Sequence, residues 1–227
     1  IVNYLAKSHY RWNQKADVVI RMPCGAGVGA GPFHSQTNEA WFTHTPGLKV
    51  VYPAFPYDAK GLLATAVEDP NPVLFFEHKA LYRSIRQEVP TSYYTLPLGK
   101  AALLREGEAI TIVTYGAGVH WALETLEKVS VSADVIDLRT LAPLDRETIY
   151  ASVKKTGKLI ILQEDSIFGS MASDIAAMVS EDCFEYLDAP IKRVASIETP
   201  IPFASNLEKQ YLPKDRFQKE LEALMAY

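Results

Sequence analysis

The stretch ITIVTYGAGVHWALETLEKV, residues 110–129, gives the clearest indication of the fold class, and a second apolar run, 133–138, follows it. The β-branched run 110–115 predicts a strand, and the helical spacing of apolar residues over 119–129 predicts a helix. A strand, a helix and a second strand in this order form the right-handed crossover unit of a parallel sheet. The stretch therefore predicts an α/β fold.

The same alternation extends in both directions from this unit. Further strands are predicted over 17–22, 48–52, 73–77, 158–163 and 191–195. Further helices are predicted over 36–43, 57–68, 146–155, 171–180 and 215–225. Strands alternating with helices of this length indicate parallel or mixed sheets flanked by helices.

A segment bracketed by prolines, residues 89–97, separates two such α/β regions. Its apolar residues follow no helical or strand period, which is typical of a linker between domains. We therefore predict two domains, over 1–90 and 91–227. Each domain is expected to contain one sheet with helices packed against it.

Composition excludes several classes of function. The chain has 227 residues and a net charge of −4, so it offers no basic patch for a nucleic acid. No apolar run approaches the ~18 residues that span a bilayer, and we expect no membrane partner. Cys24 and Cys183 match no zinc or CxxC spacing, so we expect free thiols in a reducing compartment.

The beginning of the chain predicts a helix that is already under way. The first residues carry neither a methionine nor a capping side chain ahead of the apolar positions Ile1 and Leu5. Because a helix normally begins with a cap, we expect that the chain continues a longer protein.

A glycine-rich run, residues 24–32, follows the first predicted strand and satisfies the pattern GxGxxA. A dinucleotide site is not expected, because Pro23 and Pro32 flank the run and no long helix follows it. Glycines let the backbone approach another chain or a ligand closely, and we expect that role here. Gly116 and Gly118 lack a third glycine, so we expect a tight turn.

His34 is the strongest candidate for a catalytic residue. It follows the glycine-rich run at the end of a predicted strand, where α/β proteins gather their sites. Histidine is the side chain that exchanges protons near neutral pH. The alternative is a histidine that only supports the structure.

The other four histidines give weaker signals. His9 and His120 fall within helical patterns and indicate surface or packing positions, whereas His44 is expected to cap a helix end. His78, between Glu77 and Lys79, is left open. No pair of histidines has a metal-ligand spacing and no GxSxG motif is present, so neither a zinc site nor a serine nucleophile is predicted.

Several motifs in fixed order resemble the beta subunit of the E1 component of 2-oxo acid dehydrogenases. In the first half these are FHSQ (33–36), PGLKVV (46–51), DAKGL (58–62) and DPNP (69–72). In the second half they are VIDLRT (135–140), PLD (143–145) and LDAP (187–190). The segments LYR (81–83) and EVP (88–90) are more similar to the branched-chain, 2-oxoisovalerate members than to the pyruvate members.

The resemblance implies a transketolase-like fold, with a pyrimidine-binding domain that is incomplete at its N-terminus and a transketolase C-terminal domain. It implies thiamine diphosphate with Mg²⁺, bound between an alpha and a beta subunit, with the metal and diphosphate contacts supplied by the alpha side. His34 matches the family's histidine, which faces the reactive carbon of thiamine and moves a proton during acyl transfer.

The resemblance also implies a potassium site in the beta subunit, formed largely by backbone oxygens. Its positions correspond to Val18, Ala66, Asp69 and Asn71. The alternative is an ordinary turn that ends a helix.

This sequence departs from the family in one respect. The family's glutamate that activates the aminopyrimidine, and an aromatic residue that packs on it, lie upstream of the segment that begins at Ile1. We therefore expect the 227 residues alone to be inactive.

The function implied is oxidative decarboxylation of a branched-chain 2-oxo acid, with acyl transfer to the lipoyl group of E2. The expected partners are an E1 alpha subunit or domain, a second beta subunit and the E2 acyltransferase, in the bacterial cytoplasm or the mitochondrial matrix. Alternatives within enzymes are pyruvate dehydrogenase and transketolase-type or deoxyxylulose-phosphate synthase-type enzymes. An alternative of another class is a scaffold that serves dimerisation and E2 docking.

Overall fold

The computed structural model describes residues 1–227 and contains two mixed sheets flanked by helices. The strands are β1 (Val19–Cys24), β2 (Lys49–Val51), β3 (Val73–His78), β4 (Ala102–Arg105), β5 (Ile110–Thr114), β6 (Ala133–Asp137), β7 (Thr140–Ala142), β8 (Leu159–Leu162) and β9 (Lys192–Val194). The first sheet has the order β1-β3-β2-β7 and the second the order β4-β6-β5-β8-β9.

Ten α-helices connect and cover the strands. They are α1 (Ser8–Trp12), α2 (Gly31–His34), α3 (Ala40–Thr43), α4 (Pro56–Glu68), α5 (Leu81–Ser84), α6 (Ala117–Leu126), α7 (Arg146–Thr156), α8 (Met171–Asp182), α9 (Ser205–Tyr211) and α10 (Lys214–Met225). Short 3-10 helices cover Leu5–Lys7 and Phe184–Tyr186. Among these helices, none has both the length and the apolar character to cross a bilayer.

Pairing within the sheets confirms the predicted α/β fold class. Strands β1, β3 and β2 are parallel, as are β6, β5, β8 and β9. The central strands β3, β5 and β8 are buried along their whole length, as expected for strands covered on both faces. Two edge strands, β4 and β7, pair antiparallel and were not predicted, because neither is separated by a helix from the strand next to it in sequence.

Strand β7 connects the two sequence halves, since it comes from the second half but completes the first sheet beside β2. The largest core cluster also contains side chains from both sheets, including Val50, Phe76, Val113 and Ile136. The two sheets are therefore packed on one continuous apolar core, and a residue of either half can reach a site in the other.

The helix predicted over 36–43 is confirmed only for Ala40–Thr43 and is wrong for residues 36–39. The structure has the two short helices α2 and α3, separated by residues 35–39. Ser35, Thr37 and Glu39 in this connection are buried. Burial of every second residue fits an extended backbone and not a helix. This difference matters because the connection begins directly after His34.

Two smaller expectations also fail. The chain does not begin inside a helix, because residues 2–4 form a turn and helical structure begins at Leu5. The first strand does not end at Pro23 but runs through it to Cys24. Proline is tolerated there because β1 is an edge strand and needs only one hydrogen-bonded side.

The turn predicted at Gly116 and Gly118 is confirmed. Gly116 has a φ of 54° and precedes α6, a conformation that favours glycine. A Cβ added to Gly118 would lie 2.2 Å from Thr114 Oγ1, which leaves no space for a side chain where the helix begins. Cys24 and Cys183 are free and buried, also as predicted.

Candidate active site

The glycine loop, residues 25–30, leads from the end of β1 to α2 and His34. Gly25, Gly27 and Gly29 have φ values of 93°, 90° and 67°, in the left-handed region that side chains rarely adopt. A Cβ on Gly25 would also lie 2.4 Å from the ring of His78. Glycine is therefore required both by the backbone path and by the close approach of the buried histidine.

Two buried carboxylates accept the amide N–H groups of this loop. Glu208 accepts from Gly27 at 2.8 Å and from Gly29 at 3.1 and 3.2 Å. Glu164 accepts from Ala26 at 2.7 Å. Because these N–H groups already have charged partners within the chain, the loop cannot serve as a cradle for phosphate. The close approach expected of the glycines is thus made to the second half of the same chain.

His34 is the last residue of α2 and is exposed, whereas Ser35 directly after it is fully buried. The Lys79 ammonium donates to the backbone carbonyl of His34. The backbone around the imidazole is therefore tied to the end of β3, while the residue remains open to a ligand or a partner.

Glu39 ends the buried connection after His34 and is fully enclosed by protein. The Tyr115 hydroxyl donates to Oε1 at 2.7 Å, and Oε2 has no hydrogen-bond partner. Burial, reinforced by the nearby Asp165, raises the pKa of Glu39 to about 8. Burial likewise raises the pKa of Asp165 to about 6. The protonated form of Glu39 is therefore favoured at neutral pH.

We expect Glu39→Gln to flatten the pH dependence of folding stability. Glu39 ionises near 4.5 when unfolded and near 8 when folded, so the folded state binds more protons between these values. Stability of the unmodified chain must then fall as pH rises through this window. At pH 8 the variant should be more stable by about 2 kcal/mol, because it has no carboxyl group that must stay protonated in the core. The pKa shift alone would give a larger increase in stability, but the glutamine side chain leaves an amide N–H without a partner.

Urea unfolding at pH 5 and pH 8 measures this difference, with the exposed Glu185→Gln as the matched control. An unchanged slope of stability against pH in Glu39→Gln would show that Glu39 is ionised in the folded state.

A cavity of about 270 Å³ lies beside the connection after His34. Gln36, Thr37 and Asn38 line one part of it, and Asp165 and Tyr211 of the second half also line it. A second cavity, of about 480 Å³, contains Arg21, Glu77, Tyr82 and His78 in its lining. The sequence did not predict either cavity, because each one depends on residues that are distant along the chain.

The remaining histidines have structural partners or lie on the surface. His44 is the residue that ends α3, and its Nδ1 lies 3.0 Å from the carbonyl of Ala40 in that helix, which confirms the predicted cap. His120 Nε2 is 2.8 Å from the Ala54 carbonyl, and His9 is exposed on α1. His78, left open by the sequence, is buried with Nε2 2.5 Å from Glu164.

Sequence reasoning missed the buried acids Glu39, Glu164 and Glu208. Glu164 carried one usable signal, because it lies two residues after the end of the apolar strand β8, and polar residues at strand ends often belong to α/β sites. Glu208 lies in α9, a seven-residue helix that was not predicted, and carried no such signal.

The four candidate potassium positions lie around the turn between α4 and β3. The Val18 carbonyl accepts from Val73 N–H at 2.9 Å, and Asp69 Oδ1 accepts from the Asn71 backbone and side chain. Ala66 lies four residues before Pro70, which has no N–H, so the carbonyl of Ala66 lacks the usual helical partner. Oxygen donors of this kind fit a hard cation.

Asp69 is the one charged member of this group and is already paired with Lys49. Burial alone would raise the pKa of Asp69, but its contacts with Lys49 and Asn71 outweigh burial and lower that pKa. The carboxylate is therefore ionised. No group of three His, Cys, Asp or Glu side chains in the structure could hold a metal ion.

Comparisons with known proteins agree with this architecture. Residues 2–84 match the pyrimidine-binding domain of transketolase, and residues 99–216 match the transketolase C-terminal domain. A solved structure described as a split gene transketolase, inactive beta4 tetramer, superposes with a TM-score of 0.73. The superposition covers 98% of this chain and 74% of the transketolase chain, at 24% sequence identity, and supports the fold.

Curated relatives are similar over nearly the whole chain. The 2-oxoisovalerate dehydrogenase subunit beta of Bacillus subtilis is 50% identical over 218 residues, which are 93% of this chain and 67% of the relative. The acetoin:2,6-dichlorophenolindophenol oxidoreductase subunit beta of the same organism is 47% identical, over 94% of this chain and 64% of the relative. The pyruvate dehydrogenase E1 component subunit beta of Bacillus subtilis is 46% identical, over 92% of this chain and 65% of the relative.

The chain thus spans about two thirds of the length of these relatives. The motifs around His34 and in the second half occur in the order that the resemblance requires, on the fold that the family matches describe. The chain belongs to the transketolase-like family of 2-oxo acid dehydrogenase E1 beta subunits.

Proposed function

We propose that this chain is the later part of a beta subunit that acts in oxidative decarboxylation of a branched-chain 2-oxo acid. The acyl group would pass to the lipoyl group of E2. The observation that carries this proposal is the exposed His34 at the end of a glycine loop whose amides are bonded to buried carboxylates. The resemblance of LYR (81–83) and EVP (88–90) to branched-chain members supports the choice of substrate.

Thiamine diphosphate supplies carbanion stabilisation when it is bound. His34 would contribute a proton acceptor and donor beside the reacting carbon, since imidazole can change its charge near neutral pH. The Lys79 contact to its backbone carbonyl supports a fixed position for the residue. A histidine fixed in this way can also orient the carboxylate or carbonyl oxygen of the substrate.

The diphosphate and Mg²⁺ would be held outside these residues, by the alpha subunit. Two observations support this division. The amides of Gly27 and Gly29 are bonded to Glu208, and the structure lacks a cluster of metal-binding side chains. The glutamate that activates the aminopyrimidine in the family would likewise lie outside the 227 residues. We therefore propose that they do not form a working site alone.

The turn at Val18, Ala66, Asp69 and Asn71 is proposed as a potassium site. The unpaired Ala66 carbonyl and the ionised Asp69 support this assignment. The ion would stabilise the connection between α4 and β3 without entering the chemistry.

Residues 1–90 are proposed as the later part of the pyrimidine-binding domain and 91–227 as the C-terminal domain. We propose an alpha subunit, a second beta subunit and E2 as partners, by analogy with heteromeric E1 components. The location would be the cytoplasm of a bacterium or the mitochondrial matrix of a eukaryote.

Pyruvate is the second candidate substrate, and the 46% identity to a pyruvate dehydrogenase subunit favours keeping it. The test is CO₂ release by the assembled alpha–beta complex from 3-methyl-2-oxobutanoate and from pyruvate in parallel. We expect at least tenfold higher kcat/KM for the branched-chain acid, about the discrimination that one or two methylenes in an apolar pocket provide. A preference for pyruvate would contradict this assignment.

A further inference from the structure

We propose that Glu164 and Glu208 are positioning residues, a carboxylate clamp that sets the conformation of the glycine loop and so the place of His34. This inference rests on the function proposed for His34. It adds two residues of the second sequence half to a site that the motif assigns to the first half.

The glycine loop needs such an external constraint. Glycine has more backbone freedom than any other residue, and a loop with glycines at 25, 27 and 29 has few side chains with which to fix itself. Its conformation must therefore be determined by contacts from elsewhere. The hydrogen bonds of Ala26, Gly27 and Gly29 to the two carboxylates are contacts of this kind.

Both carboxylates are well placed to act as strong acceptors. Glu164 is 5% exposed and Glu208 is 4% exposed, so water competes little for their oxygens. Hydrogen bonds to an ionised acceptor are roughly twice as strong as those between neutral groups. Glu208 accepts two amides with one side chain, which fixes the orientation of the loop as well as its distance.

Packing around the clamp fixes each carboxylate in turn. Glu164 follows β8 and shares its second oxygen with His78, whose ring lies against Gly25. Glu208 lies in α9, and Tyr211 of that helix packs with Ala26 and Ile201 in a small apolar cluster. The first part of the loop is therefore enclosed by the second half, while the Lys79 contact secures the carbonyl of His34 at the other end.

The expected consequence of releasing the clamp is a mobile loop and a misplaced histidine. Displacing a catalytic group by about 1 Å can lower a rate by ~100-fold, even when the change lies away from the chemistry. Substrate binding would be affected less, because both carboxylates are buried and hydrogen-bonded to the loop, so neither is free to contact a ligand. We therefore expect kcat to fall while KM changes little.

The first test is amide hydrogen exchange of segment 25–34 in the assembled complex. In Glu208→Ala we expect this segment to exchange about tenfold faster or more, since its amides lose charged acceptors. Glu208→Gln keeps one oxygen acceptor and should give an intermediate rate. The control is Glu127→Ala, an exposed glutamate at the end of α6 without a side-chain hydrogen bond, which should leave the segment unchanged.

Unchanged exchange in Glu208→Ala would overturn the clamp. If that variant fails to assemble, Glu208→Gln decides, because protection equal to the unmodified complex would show that the carboxylate charge is dispensable.

The second test is a double-mutant cycle with His34→Ala, measured as acyl transfer to lipoyl groups. If Glu208 acts through His34, the double variant should be no slower than His34→Ala alone, whereas Glu208→Ala alone should lose tenfold to 100-fold in kcat. If instead the kcat of the double variant falls by the product of the two single losses, Glu208 does not act through His34 and the positioning role is overturned. If His34→Ala alone has no effect, the function proposed for His34 fails, and the exchange rates still decide whether Glu208 fixes the loop.

Discussion

Replacing His34 by alanine in the assembled complex is expected to lower acyl transfer to lipoyl groups by ~100-fold or more. A positioned general acid or base contributes about 10² to 10⁴ to a rate, and the glycine loop supplies no other titratable side chain. Initial CO₂ release should fall less, because the cofactor stabilises the charge formed in that step. The measurement is single-turnover CO₂ release followed by lipoyl acylation on the same preparation.

His9→Ala is the matched control, since His9 is an exposed histidine on α1 without a side-chain hydrogen bond. It should retain both rates. Full acyl transfer in His34→Ala would show that His34 is structural and would favour the scaffold interpretation of the chain.

Replacing Arg139 by alanine is expected to destabilise the fold by about 3 to 5 kcal/mol. The Arg139 guanidinium donates to Asp58 Oδ1 at 3.0 Å, and to the carbonyls of Lys100 and Ala101 at 3.1 and 3.2 Å. Asp58 is buried near the beginning of α4, so the variant leaves an uncompensated charge in the interior. The pair also connects α4 of the first half to the segment between β6 and β7.

Urea unfolding at neutral pH measures this loss, and the exposed Arg146→Ala controls for the removal of an arginine. The double variant Arg139→Ala with Asp58→Asn should recover part of the stability, because the buried charge is removed with its partner. A loss below about 1 kcal/mol in Arg139→Ala would place this pair among ordinary surface ion pairs.

Much of the second half of the fold could be predicted from local pattern. Strands β5, β6 and β8 are short, β-branched and fully buried, and helices α6 and α7 between them repeat apolar residues at helical spacing. Helix α7 even carries its own end signals, with Asp145 accepting from Thr148 N–H and Gly157 in the left-handed region. Local chemistry and tertiary packing agree in this region, so sequence reasoning succeeds.

The elements that escaped prediction are those whose conformation depends on distant partners. Strand β7 has three residues and exists because β2 offers it an edge. Residues 35–39 have helix-compatible neighbours, yet Glu39 is buried and accepts a hydrogen bond from the hydroxyl of Tyr115, which directly follows β5 of the other sheet. A contact between residues this far apart in the chain leaves no periodic pattern in the local sequence.

In the candidate site, too, the residue with local sequence signals could be predicted and the residues that are distant in sequence could not. His34 stands out because it follows a glycine-rich run at the end of a strand, and both signals are local. Glu164 and Glu208 reach the loop across 138 and 181 positions of the chain, so only the folded structure shows them beside Ala26 and Gly27. The motif thus predicts His34 as the reactive residue, and the fold shows which side chains surround it.

CO₂ release from a branched-chain 2-oxo acid, measured for the 227-residue chain alone and for the complete complex with its alpha subunit, decides whether this chain acts only as one part of a decarboxylase. We predict release by the complete complex, dependent on thiamine diphosphate, and none by the chain alone at the same concentration. Release by the chain alone, or a complete complex that releases no CO₂ from any 2-oxo acid, would contradict the account.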